Sequence, residues 1–130
     1  MNGRAALRSY SQNDTRAKTE NESPEKLILL LLEKGCLLIQ QAVNSLETED
    51  PERFHETTTH CMQIIVALRG LLDFENGGKV AEQLAETYDV INASLFKAKR
   101  NRSISSLRKL GLALAEIKEG WETILPAVGA

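Results

Sequence analysis

The chain has 130 residues, 26% of them charged and 42% hydrophobic, with a formal net charge of -2. That length fits one domain able to bury a core without staples, and the composition is that of an ordinary soluble globular protein. The near-neutral charge supplies no bulk attraction to nucleic acid or an anionic membrane. The longest apolar run, six residues from Leu27 to Leu32, is far short of the about 20 needed to cross a bilayer.

Residues 1–22 hold only Leu7 and Tyr10 as sizeable apolar groups among Ser, Asn, Thr, Arg, Lys and Glu. This predicts a flexible arm with one anchor point, and it has no apolar stretch of the secretory type. Retention in the cytoplasm is the corresponding expectation. Order is expected from Ser23-Pro24-Glu25, where Ser caps, Pro fits the first helical position and Glu suits the positive end of the helix dipole. The device recurs at Asp50-Pro51-Glu52 and, more weakly, at Ser103. Asn76-Gly77-Gly78 marks a break between the second and third segments. The predicted helices are 24–47, 51–73, 79–100 and 104–125.

In the second helix the seam reads Phe54, Thr58, Cys61, Ile65, Leu68, Leu72; in the third, Ala81, Leu84, Tyr88, Ile91, Leu95, Ala98; in the fourth, Leu107, Leu110, Leu114, Ile117, Trp121, Ile124. Steps of three and four alternate, which is the period of left-handed helix packing. Connections of a few residues force neighbouring helices to run antiparallel. The sequence therefore predicts an all-α, up-down four-helix bundle over residues 23–126, with the arm before it and a short tail at 127–130.

The first helix carries more. Leu32, Cys36, Ile39, Val43 and Leu46 form one seam, while Leu27, Leu30, Leu31, Leu37 and Leu38 point elsewhere. Two readings fit the surplus: a wider core with a covering arm, or a groove for a partner's apolar segment. Leucines at ~1.5–3 kcal/mol each could supply several kcal/mol of binding.

No catalytic set emerges, and neither a cofactor nor a metal is expected. His55 and His60 are five apart on a helix, so their side chains diverge and cannot share a metal on one face. Cys36 and Cys61 lack metal-type spacing and read as two reduced, buried thiols, with a lone disulfide as the alternative; Cys61 stands on a seam where a buried thiol is inert. Gly77-Gly78 has acidic flanks and no following Lys-Ser/Thr, so it reads as a helix break and not as a phosphate loop. Lys97, Lys99, Arg100, Arg102, Arg108 and Lys109 form a basic run without an acid. It reads as a solvated bundle end, with RNA docking as the alternative. Phe96 and Leu112 are expected to be exposed.

"SPEKLILLLLEKG" at 23–35 resembles the opening helix of the FliS family of flagellar export chaperones. Leu72-Asp73, Gly77-Gly78 and Tyr88-Asp89 resemble that family's central stretch, and the segment around Trp121 its closing helix. The likeness spans nearly the whole chain. It departs at Leu32-Glu33-Lys34, where the family has an aromatic residue followed by Asp-Gly. The resemblance implies an antiparallel bundle, not an enzyme, that binds the disordered C-terminal segment of flagellin in the cytoplasm. It further implies that the chaperone keeps flagellin from polymerising early and helps deliver it to the export apparatus, whose gate components are further partners. Tyr10 matches an N-terminal tyrosine of the family, and with Leu7 would cover the groove when no client is bound. By helical phase the groove candidates are Leu27, Leu30, Leu31, Ile64 and Leu71. Nucleic acid and membrane insertion are not expected. A self-associating bundle, forming a weak homodimer through the surplus leucines, is the remaining alternative.

Overall fold

The computed structural model describes residues 23–128, with side chains as far as Thr123. Four helices follow one another: α1 (Pro24–Glu47), α2 (Pro51–Gly70), α3 (Phe74–Asn101) and α4 (Ile104–Val128). No strand occurs among the described residues. Each helix has an oxygen cap on an orphan amide of its first turn. Lys26 N donates to Ser23 Oγ at 3.3 Å, Arg53 N to Asp50 Oδ1 at 3.1 Å, Asn76 N to Asp73 Oδ1 at 3.1 Å and Ser106 N to Ser103 Oγ at 3.2 Å.

Asp73 is the cap that the sequence reading passes over. It starts α3 at Phe74, and Gly78 then breaks the helical path with φ 49° and ψ -124°. The expected break is thus a kink just inside α3, after a single turn, and not the gap between helices. α2 also ends earlier than expected, at Gly70.

The helices sit in cyclic order, α1 beside α2 and α4, α3 beside the same two. The α1–α2 and α1–α4 interfaces are the most extensive and α3–α4 is the least. The surplus leucines of α1 follow from this. Its buried positions, Leu31, Leu32, Gly35, Leu38, Ile39, Ala42, Val43 and Ser45, sweep an arc of roughly 160° at about 100° per residue. Two close neighbours cover that arc from two sides. Glycines let α4 approach: a Cβ on Gly35 would stand 3.3 Å from Leu114 Cδ1, and one on Gly111 3.4 Å from Ile39 Cγ2. By length and composition α1 could pass for a membrane span, but its central leucines are packed on α2 and α4 as a core helix.

The expected seams hold the core. Phe54, Thr58, Cys61, Ile65 and Leu68 of α2, Tyr88, Ile91, Leu95 and Ala98 of α3, and Leu107, Leu110 and Leu114 of α4 are buried. The buried hydroxyl of Thr58 donates to Phe54 O at 2.7 Å, so no polar group is stranded there. Ile117 and Trp121 pack half-buried against the core's edge, so Trp121 is not the enclosed anchor its seam position implies.

Candidate functional site

The groove candidates separate into two sets. Leu31 and Ile64 are 2% and 0% exposed and belong to the core; their assignment to an open groove is corrected. Heptad steps on α1 can be drawn along two stripes, and close packing on both flanks of α1 buries Leu31 and Leu38 of one with Leu32, Ile39 and Val43 of the other, while Leu37 stays exposed. Leu27, Leu30 and Leu71 are half-buried. Leu27 and Leu30 lie in the first turns of α1 and Leu71 at the end of α2, so the antiparallel order brings all three to one bundle end. Leu72, Ile117 and Trp121 line the same end, against the core. Tyr10 and Leu7, with the cover they would form, lie outside the described residues.

A further apolar feature lies where no sequence reading placed it, between α3 and α4. Gln83, Glu86, Thr87, Val90, Ile91 and Ser94 of α3 face Leu110 and Ala113 of α4 across a furrow of about 490 Å³. It runs on, through Ser94 and Leu110, into a second hollow of about 310 Å³ lined by Lys97, Asn101, Ser106 and Lys109. Val90 is 64% exposed in the furrow, although it is a large aliphatic residue.

The furrow lies along the least extensive of the four interfaces, and this seam lacks the side-chain ties that cross the others. Across α2–α3, Arg69 grips Asp89, Lys99 Nζ donates to Thr59 Oγ1 at 2.9 Å, and Asn92 Nδ2 reaches Met62 O at 3.5 Å. Across α1–α2, Arg53 Nη1 donates to Asn44 Oδ1 at 2.8 Å, and across α1–α4 Arg108 Nη2 meets Glu47 Oε2 at 3.4 Å. Among the described residues no side-chain hydrogen bond or ion pair was found joining α3 to α4. Three of the residues facing one another there, Ser94, Ala113 and Thr87, are small or short and leave the gap unfilled. Glycine approach draws α4 toward α1, which leaves the α3 side loose.

The thiols are placed for packing. Cys61 Sγ lies 3.7 Å from Gly35 O at the α1–α2 contact, and burial pushes its pKa up to about 12, with the neighbouring Cys36 adding to the rise. Cys36 is half-buried and also raised, by burial foremost, with Lys118 opposing and Glu33 reinforcing. Neither is poised as a nucleophile. His55 is exposed and His60 half-buried, and no group of three metal-ligating residues was found among the described residues. Phe96 and Leu112 are 52% and 67% exposed, as their off-seam positions predict.

Residues 6–128 match the profile of the family described as flagellar protein FliS. The flagellar secretion chaperone FliSB of Pseudomonas aeruginosa is 31% identical over 119 residues, covering 92% of this chain and 94% of that protein. The flagellar secretion chaperone FliS of Salmonella typhimurium is 27% identical over 123 residues, covering 94% and 91%. A capped antiparallel bundle with its apolar surplus at one end and along one loose seam, matched over nearly its whole length by secretion chaperones, places this chain in the FliS family of flagellar proteins.

Proposed function

We propose that this chain is a cytoplasmic export chaperone that binds the disordered C-terminal segment of flagellin. It holds that segment in apolar surface furrows, prevents premature polymerisation and supports delivery to the flagellar export apparatus. The observation that carries this reading is the open α3–α4 furrow, where Val90, Ile91, Leu110 and Ala113 offer an apolar lining and no side-chain tie among the described residues crosses the seam. An amphipathic helix laid there buries its own apolar stripe, the helix-in-groove mode of recognition. The half-buried leucines at the α1 bundle end extend the surface on which a wrapping segment can lie.

Flagellin's terminal regions pack as helices in the filament, so their apolar faces attract one another when unpaired. Burial in a preformed furrow satisfies them without nucleotide or covalent chemistry. Ordering a flexible client costs a few kcal/mol of the gross interaction, which leaves moderate affinity and permits release at the export gate.

The test is titration of the chain with a peptide from the C-terminus of a flagellin of the same bacterium, by calorimetry. Saturable binding that Val90→Glu weakens at least tenfold, with the melting temperature little changed, is the expected result. Binding unaffected by Val90→Glu would remove the furrow from the client surface.

A further inference from the structure

The α3–α4 furrow is charged differently at its two ends. Glu86 lines one end, and Glu82 and Glu116 occupy exposed positions close by in sequence register. Lys97 and Lys109 line the other, together with Asn101 and Ser106. No acidic residue occurs from Lys97 through Lys109 to offset the lysines. Of the cations near the acidic end, Lys118 stands on α4's other flank, close enough to Cys36 of α1 to act on its thiol, and Lys79 is exposed one turn before Gln83, beyond the residues that line the furrow. From Gln83 to Asn101 the furrow follows α3 for about 27 Å at about 1.5 Å per residue, the span of a helix of roughly 18 residues.

A helix laid in this furrow presents partial positive charge at its N-terminus and partial negative charge at its C-terminus. One direction matches both ends of the furrow and the opposite direction mismatches both. We propose that the furrow accepts a partner helix in a single orientation, parallel to α3, with its C-terminal turn over Lys97 and Lys109 and its N-terminal turn beside Glu86. The occupant is an amphipathic helical segment with an apolar stripe for Val90 and Ala113, favoured when carboxylates lie in its last turn. This rests on the client reading above and adds a direction to it. Lys97 and Lys109 then act as orientation determinants, while Val90 and its neighbours supply the burial.

The probe is a synthetic peptide copying the helical stretch of the C-terminal segment of a flagellin from the same bacterium, carrying a nitroxide at one end or the other. It is added to the full chain labelled with nitrogen-15. A label at the peptide's C-terminal end is expected to broaden the amides of Lys97, Asn101, Ser106 and Lys109, and a label at the N-terminal end those of Gln83, Glu86 and Thr87. Lys97→Glu with Lys109→Glu is expected to weaken binding at least fivefold at low salt, with the loss shrinking at high salt. Swapped broadening patterns, with Val90→Glu still weakening binding, overturn the orientation and leave the client furrow standing. Broadening confined to residues outside the furrow overturns both. Concentration-dependent broadening of the furrow amides in the chain alone, unrelieved by peptide, assigns the furrow to a second copy of the chain and overturns the proposal.

Discussion

Arg69 on α2 and Asp89 on α3 meet side by side, Nε donating to Oδ1 at 2.7 Å and Nη2 to Oδ2 at 3.2 Å. The fork-to-fork geometry ties the outer edge of the α2–α3 seam, while the adjoining Tyr88 fills the core beneath it at 2% exposure. Two consecutive residues of the stretch that resembles the family thus have separate structural tasks. The two ion-paired side chains remain 46% and 58% exposed, so solvent weakens the pair. A double-mutant cycle with Arg69→Ala and Asp89→Ala should give a coupling of about 0.2–1 kcal/mol, falling toward zero as salt rises. A coupling well above that range would mean the pair is shielded from water in solution.

Gly78 is the one described glycine at positive φ, with φ 49° and ψ -124°. That combination is close to the first central position of a type II′ turn, which L side chains rarely adopt. A Cβ there would meet nothing within 4 Å, so the cost of Gly78→Ala is backbone strain alone, about 1–3 kcal/mol. Gly120 also has open space around an added Cβ, but sits in the regular path of α4. Gly120→Ala should therefore stabilise, by up to about 1 kcal/mol. Thermal melts of the two variants should move in opposite directions.

The bundle was legible in the sequence because its signals are local and repeated. Ser23, Asp50 and Ser103 act as caps, and the three- and four-residue steps from Phe54 to Leu68 and from Tyr88 to Ala98 do face the core. Asp73 was harder to see, because the Gly77-Gly78 pair is the louder signal and lies only one turn later. The site was less legible for a different reason. Leu31 and Leu30 are neighbours of the same type, and which of them is enclosed depends on how closely α2 and α4 approach α1. That approach is set partly by Gly35 and Gly111 on facing helices. The furrow at Val90 and Ala113 arises from an omission, the want of ties and bulk between α3 and α4, and periodicity does not record omissions.

Burial of Cys61 and Tyr88 gives the bundle an alkaline limit. Both groups are neutral when protonated, and burial raises the Cys61 thiol and the Tyr88 phenol each to about 12, from ordinary values of 9.0 and 10.0. A raised folded-state value means the native chain holds its proton where the unfolded chain has lost it. The contribution to stability is therefore complete below pH 9 and is lost as pH rises toward 12. Chemical denaturation should give a flat midpoint up to about pH 9 and a falling one above it. Tyr88→Phe should lessen the part of the fall that lies above pH 10. At pH 8 in the native state, a thiol reagent should modify Cys36 before Cys61, because Cys61 is 1% exposed.

Leu30 and Leu31 allow the contributions of core and client surface to be separated at adjacent positions. Leu31 is 2% exposed within the core, so Leu31→Ala leaves a cavity and should cost roughly 2–5 kcal/mol. Leu30 is only half-buried, and Leu30→Ser should cost about 1 kcal/mol from partial loss of burial and weaker helix propensity. Client affinity per folded molecule should respond in the reverse order. Leu31→Ala removes no surface a partner can reach, whereas Leu30→Ser removes part of the apolar bundle end, where Leu27 and Leu71 also lie. The expected pair of results is a large drop in melting temperature with near-native affinity for Leu31→Ala, and a small drop with affinity lowered several-fold for Leu30→Ser. Native affinity in Leu30→Ser, measured by the same titration in which Val90→Glu is weakened, would confine the client surface to the α3–α4 furrow and leave the half-buried leucines of α1 as the loose margin of the core.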